Sequence, residues 1–136
     1  MIIITAVEDR NGLLFNHRRL SQDRVLRARM LERTAGRPLW MNAYSAKQFE
    51  RTDGIRIAED FLARAGAGDF CFVETEHVRP YLDRIEGILL YRWNRRYPAD
   101  LYFDLDVTAA PWVLTEVFEF PGSSHQNITE EVYVRA

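Results

Sequence analysis

Residues that could do chemistry are few in this chain and lie far apart. Glu74, Glu76 and His77 stand in the order Glu-x-Glu-His, and carboxylate and imidazole groups are ligands for divalent metals. No second group of such residues matches this one, so we interpret the segment as a solvated charged loop and predict no metal site. His17 and His125 have no acid or nucleophile at a recognisable spacing, so the sequence predicts no hydrolase site.

The composition is that of an ordinary globular domain. The chain has 136 residues, of which 47% are hydrophobic and 28% are charged, and its net charge is −2. This length predicts one domain, residues 1–136, and no apolar run is long enough to cross a bilayer, so we expect a cytoplasmic protein. Cys71 is the single cysteine and lies in an apolar run, which predicts a buried, unreactive thiol.

Arginines concentrate in one late segment and raise the question of an anionic partner. Arg92, Arg95 and Arg96 are interleaved with Trp93 and Tyr97, and this mixture is typical of nucleic-acid surfaces. The same pattern is typical of a strand followed by a hairpin, and the net charge of −2 disfavours a polyphosphate partner. We keep the strand interpretation, with binding of nucleic acid or an acidic partner as an alternative.

The first half of the chain alternates between strand and helix patterns. Its apolar, β-branched start predicts a central strand that is buried on both faces. Ser21 and Ser45 are candidate N-caps of the first two helices, and Gly36 with Pro38 ends the first. The predicted elements are a strand at 1–7, a turn at 9–12, helices at 21–35, 45–49 and 57–65, and strands at 39–41 and 69–73.

The second half is rich in strand patterns. It begins with a short helix near Pro80, after which only strands are predicted. The predicted elements are a helix at 78–85 and strands at 87–93, 101–105, 113–120 and 128–134. Strand–helix alternation followed by a β-rich tail predicts an α/β fold with a mostly parallel sheet and an antiparallel hairpin at its edge.

Five segments of this chain resemble segments of the dihydrofolate reductase family and occur in the same order as they do there. Residues 34–45 are similar to the family's Thr-x-Gly-x-Pro turn and the strand after it, which ends in Met. The other segments are Asp9-Arg10-Asn11-Gly12-Leu13-Leu14, Leu20-Ser21-Gln22-Asp23, residues 96–103, and Trp112 with the closing Glu131-Val132-Tyr133-Val134. The resemblance implies a dihydrofolate reductase-like α/β fold, with a mostly parallel central sheet flanked by helices and a C-terminal antiparallel hairpin.

The same resemblance implies roles for several residues. Asp23 matches the family's catalytic carboxylate, which hydrogen-bonds the pterin ring and supports its protonation. The alternative is an acid that only favours the helix dipole. The resemblance also implies a substrate pocket between the first helix and the sheet, with Phe15, Leu26, Phe49 and Tyr91 as candidate walls. Tyr91 stands where the family has a threonine, and its alternative role is ordinary core packing.

Departures from the family pattern lie mainly on the cofactor side. Asn42-Ala43 replaces the family's Gly-Arg, whose arginine meets the phosphate of NADPH, and Ser45 retains only a hydroxyl there. Glu74 and Glu76 lie where the family has glycines that approach the cofactor's pyrophosphate. Like charges ~4 Å apart repel by about 4 kcal/mol at a protein surface. The sequence therefore predicts no specific cofactor and disfavours NADPH.

Two connections are shorter than those of the family. Residues 16–19 form a basic link without the Leu-Pro-Trp that helps to close over the nicotinamide. The stretch between the second and third helices is expected to lack a strand and the arginine that holds the folate glutamate, for which Arg51 and Arg56 are candidate replacements.

The leading hypothesis is a divergent, shortened member of this fold with a degraded NADPH site. It binds a small planar ligand, with Asp23 as the polar anchor, rather than performing ordinary folate reduction. One alternative is a weak NAD(P)H-dependent reductase of a pterin-like substrate, and another is a binding protein for nucleic acid or an acidic partner. Fold does not fix function, so the sequence leaves enzymatic activity and oligomeric state open.

Overall fold

Ten strands, three α-helices and one 3-10 helix make up the fold. The computed structural model describes residues 1–136. The strands are β1 (Ile2–Val7), β2 (Gly12–Phe15), β3 (Arg18–Arg19), β4 (Leu39–Met41), β5 (Ile55–Ile57), β6 (Phe70–Phe72), β7 (Gly87–Arg92), β8 (Leu101–Tyr102), β9 (Trp112–Phe120) and β10 (Ile128–Arg135). The helices are α1 (Arg24–Arg33), α2 (Ala43–Ala46), α3 (Phe61–Arg64) and the 3-10 helix Arg79–Arg84.

Seven strands form the central sheet, in the order β5-β4-β6-β1-β7-β10-β9. The first five of these run parallel, whereas β10 is antiparallel to both β7 and β9. β1 lies in the middle because its apolar side chains are covered on both faces of the sheet. The mostly parallel sheet with an antiparallel C-terminal hairpin is therefore confirmed.

A hydrophobic cluster covers each face of the central sheet. On the α1 face, Leu26 and Met30 of the helix pack in one cluster with Phe72 and Tyr91 of the sheet. The other cluster includes Phe61, which is fully buried. Full burial of each such large apolar side chain contributes about 2 kcal/mol, so these two layers hold the helices on the sheet.

The helix N-caps differ from those expected. Asp23, not Ser21, caps α1, with extended backbone angles and a carboxylate that accepts the N–H groups of Val25 and Leu26. Asn42, not Ser45, caps α2 and accepts the N–H of Ser45. All four residues are of types that cap helices well, so residue type alone could not decide between neighbours a few positions apart.

Two predictions about short strands were wrong. β2 and β3 pair with each other, and β2 also pairs with β8, to form a second, three-stranded sheet that the sequence analysis did not predict. β5 lies where a third helix was expected to begin, and α3 is confined to Phe61–Arg64. The strand expected to be missing between α2 and α3 is therefore present, paired with β4.

The buried thiol was predicted correctly. Cys71 is completely buried in β6, and burial raises its pKa to about 12. A thiol with so high a pKa is almost entirely protonated at neutral pH and is a poor nucleophile. None of the helices combines the length and the apolar character that spanning a membrane requires.

Candidate functional site

The carboxyl ends of β1, β4, β6 and β7 meet at one edge of the central sheet. Parallel strands place the residues that follow them side by side, and ligands of open α/β sheets bind at this edge. Here the residues that follow the strands include Asn42 after β4, Glu74 just beyond β6, and Trp93 after β7. The sequence predicts the site at this edge and at the neighbouring start of α1.

Asp23 is buried at the start of α1, with only 2% of the residue exposed. Its Oδ1 accepts the backbone N–H groups of Val25 at 2.9 Å, Leu26 at 3.2 Å and Ser123 at 3.0 Å. Its Oδ2 accepts the N–H of Ser124 at 2.8 Å and faces Nδ1 of His125 at 3.1 Å. The carboxylate thus joins α1 to the loop between β9 and β10.

Burial alone would raise the pKa of Asp23, but the hydrogen bonds outweigh it. The N–H groups of Ser124 and Ser123, His125 and the N–H of Leu26 all favour the ionised carboxylate. The pKa of Asp23 therefore lies well below its ordinary value. An acid in this state does not donate a proton near neutral pH, and both of its oxygens are already engaged by the chain.

His125 connects Asp23 to two hydroxyl groups. An ionised carboxylate only accepts hydrogen bonds, so Nδ1 of His125 carries the proton that faces Asp23. In the neutral ring Nε2 is then the acceptor, and it lies 3.0 Å from Oγ of Ser21 and 3.2 Å from the hydroxyl of Tyr97. Trp93 stacks on the imidazole with ring centres 4.4 Å apart. The fold therefore aligns Ser21, His125 and Asp23.

Sequence reasoning missed this cluster because its members are distant in the chain. Ser21 and Asp23 lie next to α1, whereas His125 lies between β9 and β10, and 104 positions separate Ser21 from His125. The local signals were a cap residue and a polar loop, each common in any protein. Only the pairing of the C-terminal hairpin with β7 brings His125 to the start of α1.

Glu74 occupies the edge where the sequence suggested a disturbed cofactor site. Its Oε2 accepts Nε of Arg19 at 3.0 Å, and its Oε1 accepts the hydroxyl of Ser45 at 2.8 Å and Nε2 of Gln48 at 3.0 Å. Arg19 also stacks over the ring of Tyr44, 4.4 Å from its centre. Side chains from β3, α2 and the residues after β6 thus satisfy one another across this edge.

Glu76 lies beside this network and engages a helix cap. Its Oε2 accepts Nδ2 of Asn42 at 2.7 Å. Burial is the main cause of a raised pKa at Glu76, against the lowering effect of its hydrogen bonds with Thr75 and Asn42. Ser45, the predicted cofactor-binding residue, is fully buried, and its hydroxyl already donates to Glu74.

The predicted pocket walls separate into two regions. Leu26, Phe49 and Tyr91 are buried in the hydrophobic cluster on the α1 face. Tyr91 is completely buried and donates its hydroxyl to Glu130 at 2.8 Å, which is the behaviour of a core residue. Phe15 is 48% exposed at the end of β2, in the second sheet. The structure therefore brings three of these four residues together and places Phe15 elsewhere.

A basic groove lies beside Phe49, between α1 and the segment after α2. Its volume is about 280 Å³, and it is lined by Arg24, Arg27, Ala28, Leu31, Phe49, Glu50 and Arg51. Arg27 donates to the side chain of Gln22 at 3.1 Å, and the guanidinium groups of Arg24 and Arg51 have no acidic partner in the chain. This groove combines positive charge with an aromatic wall.

The late arginines do not act as one surface. Arg92 donates to Glu131 at 2.7 Å, whereas Arg95 and Arg96 are exposed. Arg96 contributes to a groove of about 500 Å³ beside the second sheet, which is lined by Arg10, Phe15, Arg96, Tyr97, Pro98, Ala99 and Tyr102. The Arg92–Arg96 segment thus divides between a strand ion pair and an exposed aromatic groove.

Comparisons with known proteins bear on the fold. No protein-family model matches the chain, and no curated protein matches it. Among solved structures, the chain is similar to dihydrofolate reductase from Enterococcus faecalis, complexed with NADP(H) and RAB-propyl, with a TM-score of 0.69 over 98% of this chain and 95% of that one. The sequences are 11% identical, so the likeness establishes architecture alone. The chain therefore has a dihydrofolate reductase-like fold.

Proposed function

We propose that this protein binds a small planar anion in the basic groove beside Phe49 and does not carry out ordinary NADPH-dependent folate reduction. The observation that carries the proposal is the groove itself, which combines Arg24, Arg27 and Arg51 with an aromatic wall. Guanidinium groups recognise carboxylates and phosphates through paired N–H donors, and an aromatic ring favours a planar partner.

The Glu74 network supports the second half of this proposal, the absence of NADPH-dependent reduction. Glu74 is 8% exposed, and its carboxylate is held by Arg19, Ser45 and Gln48. A dinucleotide lying at this edge would have to displace those contacts and place its diphosphate near two carboxylates, Glu74 and Glu76. Each displaced hydrogen bond to a charged group costs about 2 kcal/mol, in addition to the like-charge repulsion.

The contacts of Asp23 support a ligand anchor elsewhere. A pterin ring would need a free carboxylate oxygen, and both oxygens of Asp23 accept bonds from the chain. The role of Asp23 as polar anchor remains a prediction. Arg24 and Arg51 of the groove meet the same need without breaking an ion pair within the chain. Phe49 lines this groove and remains the candidate wall, whereas Leu26 is buried in the hydrophobic cluster on the α1 face and does not line it.

Direct titration tests the proposal. Folate, methotrexate and 4-aminobenzoyl-glutamate each carry an aromatic carboxamide with carboxylates, and we expect them to bind wild-type protein in calorimetry or tryptophan fluorescence. Replacing both Arg24 and Arg51 with Ala should weaken binding at least tenfold, because each charged hydrogen bond contributes about 2 kcal/mol. Arg64→Ala is the matched control, because Arg64 lies on α3 and pairs only with Asp60.

Two further measurements separate the parts of the proposal. Asp23→Asn should leave the affinity unchanged, whereas a tenfold loss with the fold intact would restore Asp23 as the anchor. NADPH titrated alone should give no saturable binding, and substrate-dependent loss of NADPH absorbance in the presence of dihydrofolate would refute the non-reductase half. Failure of all three planar anions to bind would refute the other half.

A further inference from the structure

The Ser21–His125–Asp23 cluster is a hydrogen-bonded chain that helix capping does not require. Asp23 caps α1 with its own carboxylate, and that task needs neither His125 nor Ser21. His125 nevertheless lies with Nδ1 3.1 Å from Asp23 and Nε2 3.0 Å from Ser21. A hydroxyl, an imidazole and a carboxylate in this order are the arrangement that activates a serine for attack.

We propose that Ser21, His125 and Asp23 form a nucleophile, base and orienting acid that cleave carboxylic esters. Ser21 and His125 would be the catalytic residues, and Asp23 positions the imidazole. The arrangement is recognised by its geometry and not by the order of residues along the chain, since unrelated folds build it in different orders.

Burial of the three residues suits these roles. Ser21 is partly exposed and accessible to a substrate, whereas His125 and Asp23 are 4% and 2% exposed. Trp93 covers one face of the imidazole. Ser124 Oγ also lies 3.2 Å from Nδ1, but it donates to the carbonyl of Gln22 at 2.9 Å, which leaves the Nδ1 proton facing Asp23. The base is thus held in one orientation.

Groups that would stabilise a developing oxyanion lie next to Ser21. The backbone N–H groups of Ser21, Gln22 and Asp23 donate to no acceptor in the chain. In other serine enzymes the N–H of the residue after the nucleophile is one such donor, and here that residue is Gln22. These three free N–H donors and the Ser21 hydroxyl, which bonds Nε2 of His125, lie on the same short loop before α1.

Tyr97 links the cluster to a substrate-sized groove. Its hydroxyl lies 3.2 Å from Nε2 of His125, and its side chain lines the groove of about 500 Å³ beside the second sheet. Phe15 and Tyr102 add aromatic surface to this groove, and Arg10 and Arg96 add positive charge. Its chemistry fits an ester that carries a planar aryl group or an anionic group.

The reaction needs only the ester and water. Ser21 Oγ adds to the ester carbonyl carbon while its proton passes to Nε2 of His125. The bond to the leaving oxygen then breaks, and that oxygen takes the proton from Nε2, which leaves an acyl group on Ser21. Water repeats the sequence: it gives a proton to Nε2, attacks the acyl carbon, and the acid departs as Ser21 Oγ regains the proton.

Covalent labelling of the full-length wild-type chain tests the nucleophile directly. A fluorophosphonate reacts with activated serines, and trypsin cleavage after Arg19 and Arg24 yields the peptide Leu-Ser-Gln-Asp-Arg, in which Ser21 is the only serine. We expect the label on this peptide. Absence of label there at saturating reagent, or equal label on other serines, would overturn the proposal and needs no variant to fold.

Hydrolysis of 4-nitrophenyl acetate provides the second test. Ser21→Ala and His125→Gln should each lower kcat by roughly 100-fold or more, because positioned acid–base catalysis contributes about that much. Asp23→Asn should lower kcat with little change in KM. Thr108→Ala is the matched control and should keep wild-type turnover, since Thr108 is exposed and its hydroxyl bonds only Asp106, away from the cluster. Unchanged turnover in folded Ser21→Ala protein would refute the proposal. The planar-anion groove is tested by other variants, so either proposal can fail alone.

Discussion

Two buried carboxylates lie near the start of the first two helices, and they are held in different ways. Asp23 accepts four backbone N–H groups, two from α1 and two from the loop after β9. Glu74 is bonded instead by the side chains of Arg19, Ser45 and Gln48. Both carboxylates are hydrogen-bonded within the chain, but backbone N–H groups are the main donors to Asp23, whereas side chains donate to Glu74.

This difference in donors gives the two carboxylates different roles. Backbone donors are fixed by the fold, so Asp23 cannot be released without moving α1 or the hairpin loop. Side-chain donors can rotate away, so the edge around Glu74 can reorganise at the cost of a few hydrogen bonds. Asp23 is thus part of the architecture, whereas Glu74 closes an edge of the sheet with exchangeable partners.

Removing Asp23 should have the largest effect. Asp23→Ala leaves the N–H groups of Ser123 and Ser124 without their acceptor and removes the cap of α1. A lost cap costs about 1 kcal/mol and an unsatisfied buried donor about 1–3 kcal/mol, so we expect the free energy of unfolding to fall by about 3 kcal/mol. Urea denaturation measures this change.

Asp60→Ala is the matched control for that measurement. Asp60 also precedes a helix, but its side chain makes no cap hydrogen bond and its pair with Arg64 is exposed. We expect this change to cost less than about 0.5 kcal/mol. Equal losses at the two positions would mean that the backbone bonds of Asp23 are not what stabilises the start of α1.

Replacing Glu74 should cost less. Glu74→Ala leaves the guanidinium of Arg19 without its carboxylate, but Arg19 is 18% exposed and can turn toward water. We expect a loss of about 2 kcal/mol, below the usual range for breaking a fully buried pair. Glu32→Ala on the exposed face of α1 should change stability by less than about 0.5 kcal/mol. A larger loss of unfolding free energy for Glu74→Ala than for Asp23→Ala would contradict the structural role assigned to Asp23.

A substitution at Gly122 tests, with a smaller expected effect, how firmly the loop after β9 is fixed to Asp23. A Cβ at this position would overlap the carboxylate of Asp23 and the end of the Ile128 side chain. Gly122→Ala should therefore shift the loop after β9 and destabilise the protein by about 1 kcal/mol, at the low end for overpacking because a loop can adjust. Thermal denaturation checks the size of the effect, and an unchanged midpoint would show that the loop is not tightly fixed to Asp23.

The fold was predictable where a pattern was long or sharply bounded. β4 was predicted at its observed bounds because Gly36 and Pro38 end the preceding helix and a short apolar run follows them. β2 and β3 were missed because strands of four and two residues carry no periodicity. β2 pairs with β8, which lies far along the chain, and β3 pairs only with β2.

The site was predictable only in part, for the same reason. Asp23 was identified from the resemblance of residues 20–23 to a family motif. Its partners Ser123, Ser124 and His125 come from the opposite end of the chain. Local sequence gives the type of residue and its element, whereas the register of β10 on β7 decides which loops meet. Exposure of Phe15 likewise depends on the unpredicted second sheet.

The pH dependence of the unfolding free energy tests whether the backbone N–H groups keep Asp23 ionised. The pKa of Asp23 is lowered from its ordinary value of 3.8, so its contribution to stability is complete above that value and is lost as the pH falls toward its lowered pKa. Between pH 5 and pH 3 the wild-type protein should lose about 1 kcal/mol more than Asp23→Asn. Glu130, whose pKa is lowered to about 2 by Arg29, Arg33 and Tyr91 against the effect of burial, loses its contribution equally in both proteins, so the difference isolates Asp23. Parallel curves of unfolding free energy against pH for the two proteins would show that the backbone N–H groups do not hold Asp23 ionised.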